Sequence, residues 1–283
     1  MNNLDKKITY SINLLRKAEP MALRLDPENG FYLAFSGGKD SQALYYIAQM
    51  AGVKFKAHMN LTSVDPPEVI RFVKRNYPDV ELIKPKMSIY DMALKKHLIP
   101  TRTIRWCCAE FKEMSGAGKV TLTGIRKQES VRRSKREEVE LAGHKFSGIF
   151  DQWEEHTETM VTCVGGKDKI LVSPIIYWTE RDVWEFLNEV VKVPHCSLYD
   201  EGYRRIGCIL CPMSNYKQKI KDCQRFPHAR HKWIQTIQKL IDGGYINHNF
   251  QDAEFGFNWW ISDKSFSKFY ADEVLQQKID FEL

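Results

Sequence analysis

The sequence predicts an α/β fold, a mostly parallel, doubly wound sheet followed by a helical C-terminal region. Three observations carry that expectation. Phe31-Tyr32-Leu33-Ala34-Phe35 is a short uncharged apolar run, as suits a strand covered on both faces, and Ser36-Gly37-Gly38 breaks it before a helix-like segment. Strand-length and helix-length patterns then alternate along the chain, which implies parallel strands joined by crossover helices. From about Met213 onward the apolar spacing is helical only.

Taken in order, the N-terminal stretch MNNLDKKITYSINLLRKAE is charged and helix-like. It lacks the apolar segment and cleavage site of an export signal, so a cytoplasmic location is expected. Asp40 to Ala51 has helical spacing and Val53 to Asn60 alternates like a strand, completing one βαβ unit. The turn SVDPPE starts a helix near Pro67 that runs through PEVIRFVKRNYP, followed by the short strand VELIK and a helix from about Ser88 to His97. Val120 to Ile125 and Ile170 to Ile175 read as strands. Thr179 to Val190 reads as a helix opened by a threonine cap with acids in its first turn. Residues 136–169 show no assignable pattern and read as an insertion or a flap. The expected division is an α/β domain over 1–212 and a helical extension over 213–283. The extension ends in FGFNWWISDKSFSKFY, whose rings suit base stacking or, as their commoner use, core packing.

The chain has 283 residues, enough for one large α/β domain with an appendage. Its 43% hydrophobic and 12% aromatic content is that of a globular protein, and no apolar run is long enough for a bilayer, so no membrane partner is expected. A net charge of +6 makes anionic substrates reasonable. Arg126, Lys127, Arg132, Arg133, Lys135 and Arg136 crowd one stretch against Glu129, which fits either a nucleotide or nucleic-acid contact or a solvated helix face.

The glycine turn is where the chemistry concentrates. Ser36-Gly37-Gly38 frees the backbone to expose successive N–H groups, while Asp40 and Ser41 fall where a helix begins, so an anion is favoured there. Only two glycines precede Lys39 and no Ser or Thr follows it directly, so the loop is not of the G-x-x-x-x-G-K-[ST] kind. Ligands in such sheets bind beyond the carboxyl ends of the strands, which is where Ser36 to Ser41 falls.

Seven cysteines in a chain read as cytoplasmic point to metal or redox chemistry before disulfides. Cys107 and Cys108 are adjacent and poorly suited to bridging one another, and Cys208 and Cys211 form Cys-x-x-Cys. Four thiolates from two short segments can enclose zinc or an iron–sulfur cluster. The vicinal pair departs from usual zinc spacing and tilts the reading toward a [4Fe-4S] cluster, with Zn²⁺ as the alternative. Arg105, Lys112, Arg204 and Arg205 are placed to favour thiolates. Cys163, Cys196 and Cys223 lack such spacing and read as small hydrophobes, and His58 and His195 read as structural histidines.

Ser-Gly-Gly-Lys-Asp-Ser at Ser36 to Ser41 resembles the PP-loop of the adenine nucleotide α-hydrolase-like superfamily. W-C-C-x-x-x-K at Trp106 to Lys112, with G-C-x-x-C-P at Gly207 to Pro212, resembles the cluster-binding pattern of the iron–sulfur branch of the phosphoadenylyl-sulfate reductase family. The related DNA-phosphorothioation sulfurtransferase has a similar pattern. G-x-R-x-x-E-S-x-x-R at Gly124 to Arg133 is similar to a third family element, and Val64 to Glu68 matches the segment after the second strand.

The resemblance, which spans about Tyr32 to Met213, implies a Rossmann-like fold that binds ATP or an adenylyl sulfate, with Mg²⁺ as companion of the phosphates. It implies Lys39, Asp40 and Arg126 as catalytic, and these three together with Ser36, Gly37, Gly38, Ser41, Asp65, Gly124, Glu129 and Arg133 as nucleotide-binding. Asp65 reads equally well as a helix cap. Cys107, Cys108, Cys208 and Cys211 are the implied metal ligands.

The family's reductases carry a catalytic cysteine in a C-terminal Glu-Cys-Gly-Leu-His-like segment, and none follows Cys223 here. The expected activity is therefore nucleotide-dependent sulfur transfer, with nucleic acid a candidate acceptor and a sulfur- or electron-donor protein a candidate partner. The alternatives are adenylyl-sulfate reduction with Cys196 or a partner thiol, and a non-catalytic nucleotide- and cluster-binding subunit.

Overall fold

The structure, a computed structural model, describes residues 3–142, 147–148, 168–246 and 250–273. They form two compact units that are discontinuous in sequence. The first comprises Met1–Leu61, Pro67–Lys84 and Phe111–Ile206; the second comprises Thr62–Pro66, Pro85–Glu110 and Gly207–Leu283.

The first unit is the α/β part. Its strands are β1 (Phe31–Ala34), β2 (Phe55–Asn60), β3 (Glu81–Ile83), β4 (Val120–Leu122), β5 (Val139–Leu141), β6 (Ser147–Gly148) and β7 (Ile170–Val172). The sheet order is β3-β2-β1-β4-β7-β5-β6. The first five in that order run parallel, while β5 pairs antiparallel with both β7 and β6. β1 is central and buried, with Phe31 and Leu33 fully covered, which is why it reads as an unbroken apolar run. The chain leaves β1 toward β2 and β3 on one side, whereas β4 lies on the other. A crevice therefore opens beyond the carboxyl ends of β1 and β4.

Helix α1 (Asn3–Leu25) buries Leu4, Ile8, Ser11, Leu14, Leu15, Ala18, Met21 and Ala22, a single stripe at helical spacing. Helix α2 (Lys39–Ala51) follows the glycine turn and ends at Gly52, whose φ of 70° supplies the left-handed cap. Helix α3 (Pro67–Asn76) begins at the second proline of the pair, the position where a missing N–H is harmless.

The predicted strands at 120–125 and 170–175 pair over only three residues each, because Gly124 turns into the crevice and Pro174 has no N–H to donate. The helix predicted over 179–190 is α-helical over Glu180–Glu185 and continues as a π-helical stretch over Phe186–Val191. Part of the unassigned region 136–169 is strand β5, and most of the remainder, with Cys163, lies outside the described residues.

The second unit is helical, as expected for the C-terminal region. Helices Ile89–Lys96, Tyr216–Arg225, Pro227–Asp242 and Ala253–Ile261 pack around Trp233, Ile237, Leu240, Phe257 and Trp260. Trp233 meets Tyr90 and Trp260 at ring separations of 5.0 and 4.8 Å, and Trp260 Nε1 donates to Pro100 O at 2.6 Å. Phe255, Phe257 and Trp260, from the aromatic stretch, are therefore core. Lys219 is buried against the Asp263 carboxylate, and Asp222 accepts Leu210 N–H at 2.9 Å.

In the first unit, Asp182 closes a capping box with Thr179 and also takes Lys7 Nζ at 2.5 Å. Burial opposes its ionisation, yet the Lys7 ammonium and the Thr179 N–H and hydroxyl outweigh it and hold the carboxyl below its ordinary value of 3.8. A depressed carboxyl stabilises the fold above its unfolded pKa, and that contribution fades as pH falls through the folded one. Urea denaturation against pH should show this loss below about pH 4 in the native chain. The Asp182→Asn variant should be less stable at neutral pH and show a shallower acid slope.

Candidate functional site

A cavity of about 190 Å³ opens at the crevice, lined by Ser36, Gly38, Asp40, Ser41 and Gly124, with Glu129, Arg133, Tyr199, Arg205 and Ile206 among the remaining walls. The loop holds itself in shape. Ser36 N–H donates to Ser41 Oγ at 3.2 Å, Ser41 Oγ donates to Gly38 O at 2.8 Å, and Gly38 N–H reaches Ser36 Oγ at 3.4 Å. Gly37 has φ of +71°, and a Cβ there would stand 2.8 and 2.9 Å from Val69 and Val73 of α3. A Cβ on Gly124 would lie 3.0 Å from Asp40 O, so the β4 loop passes directly beneath the first turn of α2. The positive end of α2 is thereby presented to the cavity.

Lys39 and Arg126, both expected to face substrate, are instead buried, at 1% and 4% exposure, and neither lines the cavity. Between them stands Asp40. Its Oδ1 accepts Arg126 Nε at 2.7 Å and its Oδ2 lies 3.4 Å from Lys39 Nζ. Lys39 Nζ is also 3.3 Å from Arg204 O and 3.6 Å from Glu180 Oε1. Arg126 Nη1 reaches Gln128 Oε1 at 3.4 Å and Trp178 O at 3.5 Å. The two cations thus hold Asp40 in place at the start of α2.

At the rim, Glu129 gathers the cations that do line it. Its Oε1 accepts Arg126 N–H at 3.0 Å, while its Oε2 pairs with Arg133 and with Arg205 Nη2, the latter at 3.2 Å. Two guanidinium groups are thus held by one carboxylate at the mouth, a ready arrangement for an oxyanion. Lys127 pairs with Glu137 and Arg136 with Glu140, which leaves Arg132 and Lys135 as the exposed members of the basic stretch for which no carboxylate partner is seen among the described residues.

Tyr199, Glu180 and the role of Arg205 went unforeseen, because their partners lie far off in sequence. Only the clustering of aromatic and basic residues in LYDEGYRR hints at them. His195, expected to be a structural histidine, is held by its neighbours. Its Nε2 lies 2.9 Å from Asp200 Oδ1 and its ring packs against Trp184 and Tyr199. His58 is buried and stacks on Tyr32 at 4.1 Å.

The four paired cysteines all belong to the second unit. Cys107 and Cys108 sit on the helical turn Trp106–Cys108, and Arg105 Nη2 donates to Cys108 Sγ at 3.2 Å. The Cys-x-x-Cys turn is pinned by Ile209 N–H on Val64 O and Leu210 N–H on Asp222, with Thr62 Oγ1 at 3.5 Å from Cys208 Sγ. The Cys107 thiol is pushed well above its ordinary value, first by its hydrogen bond with Cys108, then by burial and by the Cys108, Cys211 and Cys208 sulfurs. A cation held beside the Cys107 thiol would reverse that effect. Among the described residues, no group of three or more His, Cys, Asp or Glu side chains stands at metal-binding spacing. Asp65, also in the second unit, accepts Thr62 N–H at 2.5 Å and so closes a turn. Cys196 is fully buried, consistent with a small hydrophobe.

Residues 30–214 match the phosphoadenosine phosphosulfate reductase domain. The uncharacterized protein MJ0973 of Methanocaldococcus jannaschii is 26% identical over 251 residues, covering 85% of this chain and 54% of that protein. The adenosine 5'-phosphosulfate reductase of Oceanobacillus iheyensis is 28% identical over 153 residues, covering 51% of this chain and 54% of that one. The chain thus spans about half the length of these curated relatives. Among solved structures, the phosphoadenylyl-sulfate reductase of Candida auris aligns with a TM-score of 0.42 at 18% identity, over 74% of this chain and 96% of that one.

Asp40→Ala should destabilise the chain by about 3–5 kcal/mol, since it leaves Arg126 buried without its carboxylate. Asp40→Asn keeps an acceptor for Arg126 Nε and should cost less. Urea denaturation of the two variants checks the order.

Proposed function

Because the chain belongs to the phosphoadenosine phosphosulfate reductase domain family, we propose that it is an enzyme binding the phosphate or sulfate end of ATP or an adenylyl sulfate in the cavity beyond β1. The observation that carries this reading is the composition of that cavity. The start of α2, the Ser36 and Ser41 hydroxyls and two guanidiniums anchored on Glu129 converge on a volume suited to small oxyanions. Mg²⁺ enters as part of the nucleotide substrate.

Sulfur transfer is the activity we favour. With ATP, an oxygen of the acceptor attacks the α-phosphorus, the bond to the bridging oxygen breaks, and pyrophosphate leaves with the electron pair. Arg133, Arg205 and the α2 terminus would stabilise the charge gathering on the departing oxygens. Cys107, Cys108, Cys208 and Cys211 would hold a [4Fe-4S] cluster, which when bound supplies iron sites for sulfur ligation and electron transfer. Nucleic acid is a candidate acceptor through exposed Arg132 and Lys135.

Adenylyl-sulfate reduction is the second reading. Burial pushes the Cys196 thiol up from its ordinary value and removes it from solvent, so in this reading the attacking thiolate comes from another protein.

Calorimetry with ATP–Mg²⁺ and both adenylyl sulfates, paired with assays for pyrophosphate and sulfite, tests the nucleotide reading. At least one nucleotide should bind, and no heat from any of them would sink the reading. Chain prepared without oxygen should be brown with iron and acid-labile sulfide, and Cys208→Ser should lose both. A colourless, zinc-loaded product would overturn the cluster.

A further inference from the structure

Tyr199 occupies a position that neither the loop nor the basic motif accounts for. It ends the short 3₁₀ turn Ser197–Tyr199, lines the loop cavity, and its Oη accepts the backbone N–H of Lys39 at 2.8 Å. That N–H belongs to the first turn of α2 and has no partner within the helix, so the phenol oxygen is held by the helix terminus itself. A phenol oxygen that accepts still has its own proton to give. Among the described residues, no acceptor takes it.

The ring is fixed by its surroundings. Trp184 meets it edge-on at 4.9 Å and His195 at 6.1 Å, with His195 in turn set by Asp200. Lys39 Nζ lies 5.8 Å from the ring centre, and a Cβ on Gly38 would stand 3.3 Å from the hydroxyl. Burial pushes the hydroxyl above its ordinary value of 10.0, so it keeps its proton at neutral and mildly alkaline pH.

We propose that Tyr199 is a substrate-binding residue whose O–H donates to an anionic oxygen of a phosphate or sulfate group seated in the loop cavity, relaying the positive end of α2 onto it. This rests on the nucleotide reading of the same cavity. The hydroxyl is polarised by the Lys39 N–H it accepts, which makes it a better donor to an oxyanion than an isolated phenol. The relay also carries selectivity. A ligand without a charged oxygen, such as adenosine, has nothing for this proton.

Tyr199→Phe in the full chain provides the test, by calorimetry with ATP–Mg²⁺, adenosine 5′-phosphosulfate and adenosine. Loss of a hydrogen bond to a charged group should weaken the two anionic ligands about tenfold to a hundredfold and leave adenosine unchanged. A merely structural tyrosine would weaken all three alike. Should Phe disturb folding, a ring-fluorinated tyrosine at 199 keeps the acceptor while its stronger acidity surrenders the proton. The titratable and charged groups facing it are Asp40, Cys196, Arg205, Lys39 and His195. With that residue, ATP affinity should fall as pH rises through the fluorophenol's pKa, while the native chain stays flat over the same range. Unchanged ATP affinity in the Phe variant, or the same pH response in both chains, overturns the inference while nucleotide binding stands. Failure of the native chain to bind any adenylyl nucleotide removes the site reading itself and the inference with it.

Discussion

Lys39 and Arg126 lie almost fully buried at the end of the sheet, and a buried cation is tolerated only where an opposite charge and hydrogen bonds replace its water. Asp40 serves both, one oxygen toward each. Because Asp40 opens α2 and Arg126 follows β4, this ion group fastens together two loops from neighbouring strands at the point where the sheet's winding changes direction. The same device recurs at the rim, where Glu129 fixes Arg133 and Arg205 and receives the Arg126 N–H. Positive charge is therefore set in place before any ligand arrives, and little reorganisation is left for binding to drive.

A division of labour follows. Lys39 and Arg126 support the cavity from behind, while the groups that line it are hydroxyls, a helix terminus and the rim arginines Arg133 and Arg205. Lys39 is the plainest case. Its place beside two glycines marks it as a phosphate ligand by analogy, but its ammonium sits among Asp40, Glu180 and the Arg204 carbonyl.

The β1–loop–α2 unit was legible because an uncharged apolar run, a double glycine and helical spacing all point the same way. The parallel core was legible from alternation. The antiparallel β5 was not, since Val139-Glu140-Leu141 is too short to show a period amid charged neighbours. The ends of β4 and β7 were overdrawn because apolar residues persist past the last paired position, where the chain turns to form the crevice and its support. Gly124 and Arg126 could be placed at the site from their motif. Their contacts with Asp40 could not, because 86 residues separate Arg126 from that carboxylate. Tyr199 stands 160 residues from the amide it meets and belongs to no motif, so only the folded chain reveals it.

Gly37 and Gly124 also decide where this pocket can change over evolutionary time. Any side chain at Gly37 collides with α3, and one at Gly124 crowds the Asp40 carbonyl, so the floor is closed to tinkering. On the opposite wall Tyr199, Arg205 and Ile206 reach the cavity from a 3₁₀ turn and the irregular backbone after it, outside the sheet. New ligand preferences within this architecture should therefore arise by drift along that wall while the floor is inherited unaltered.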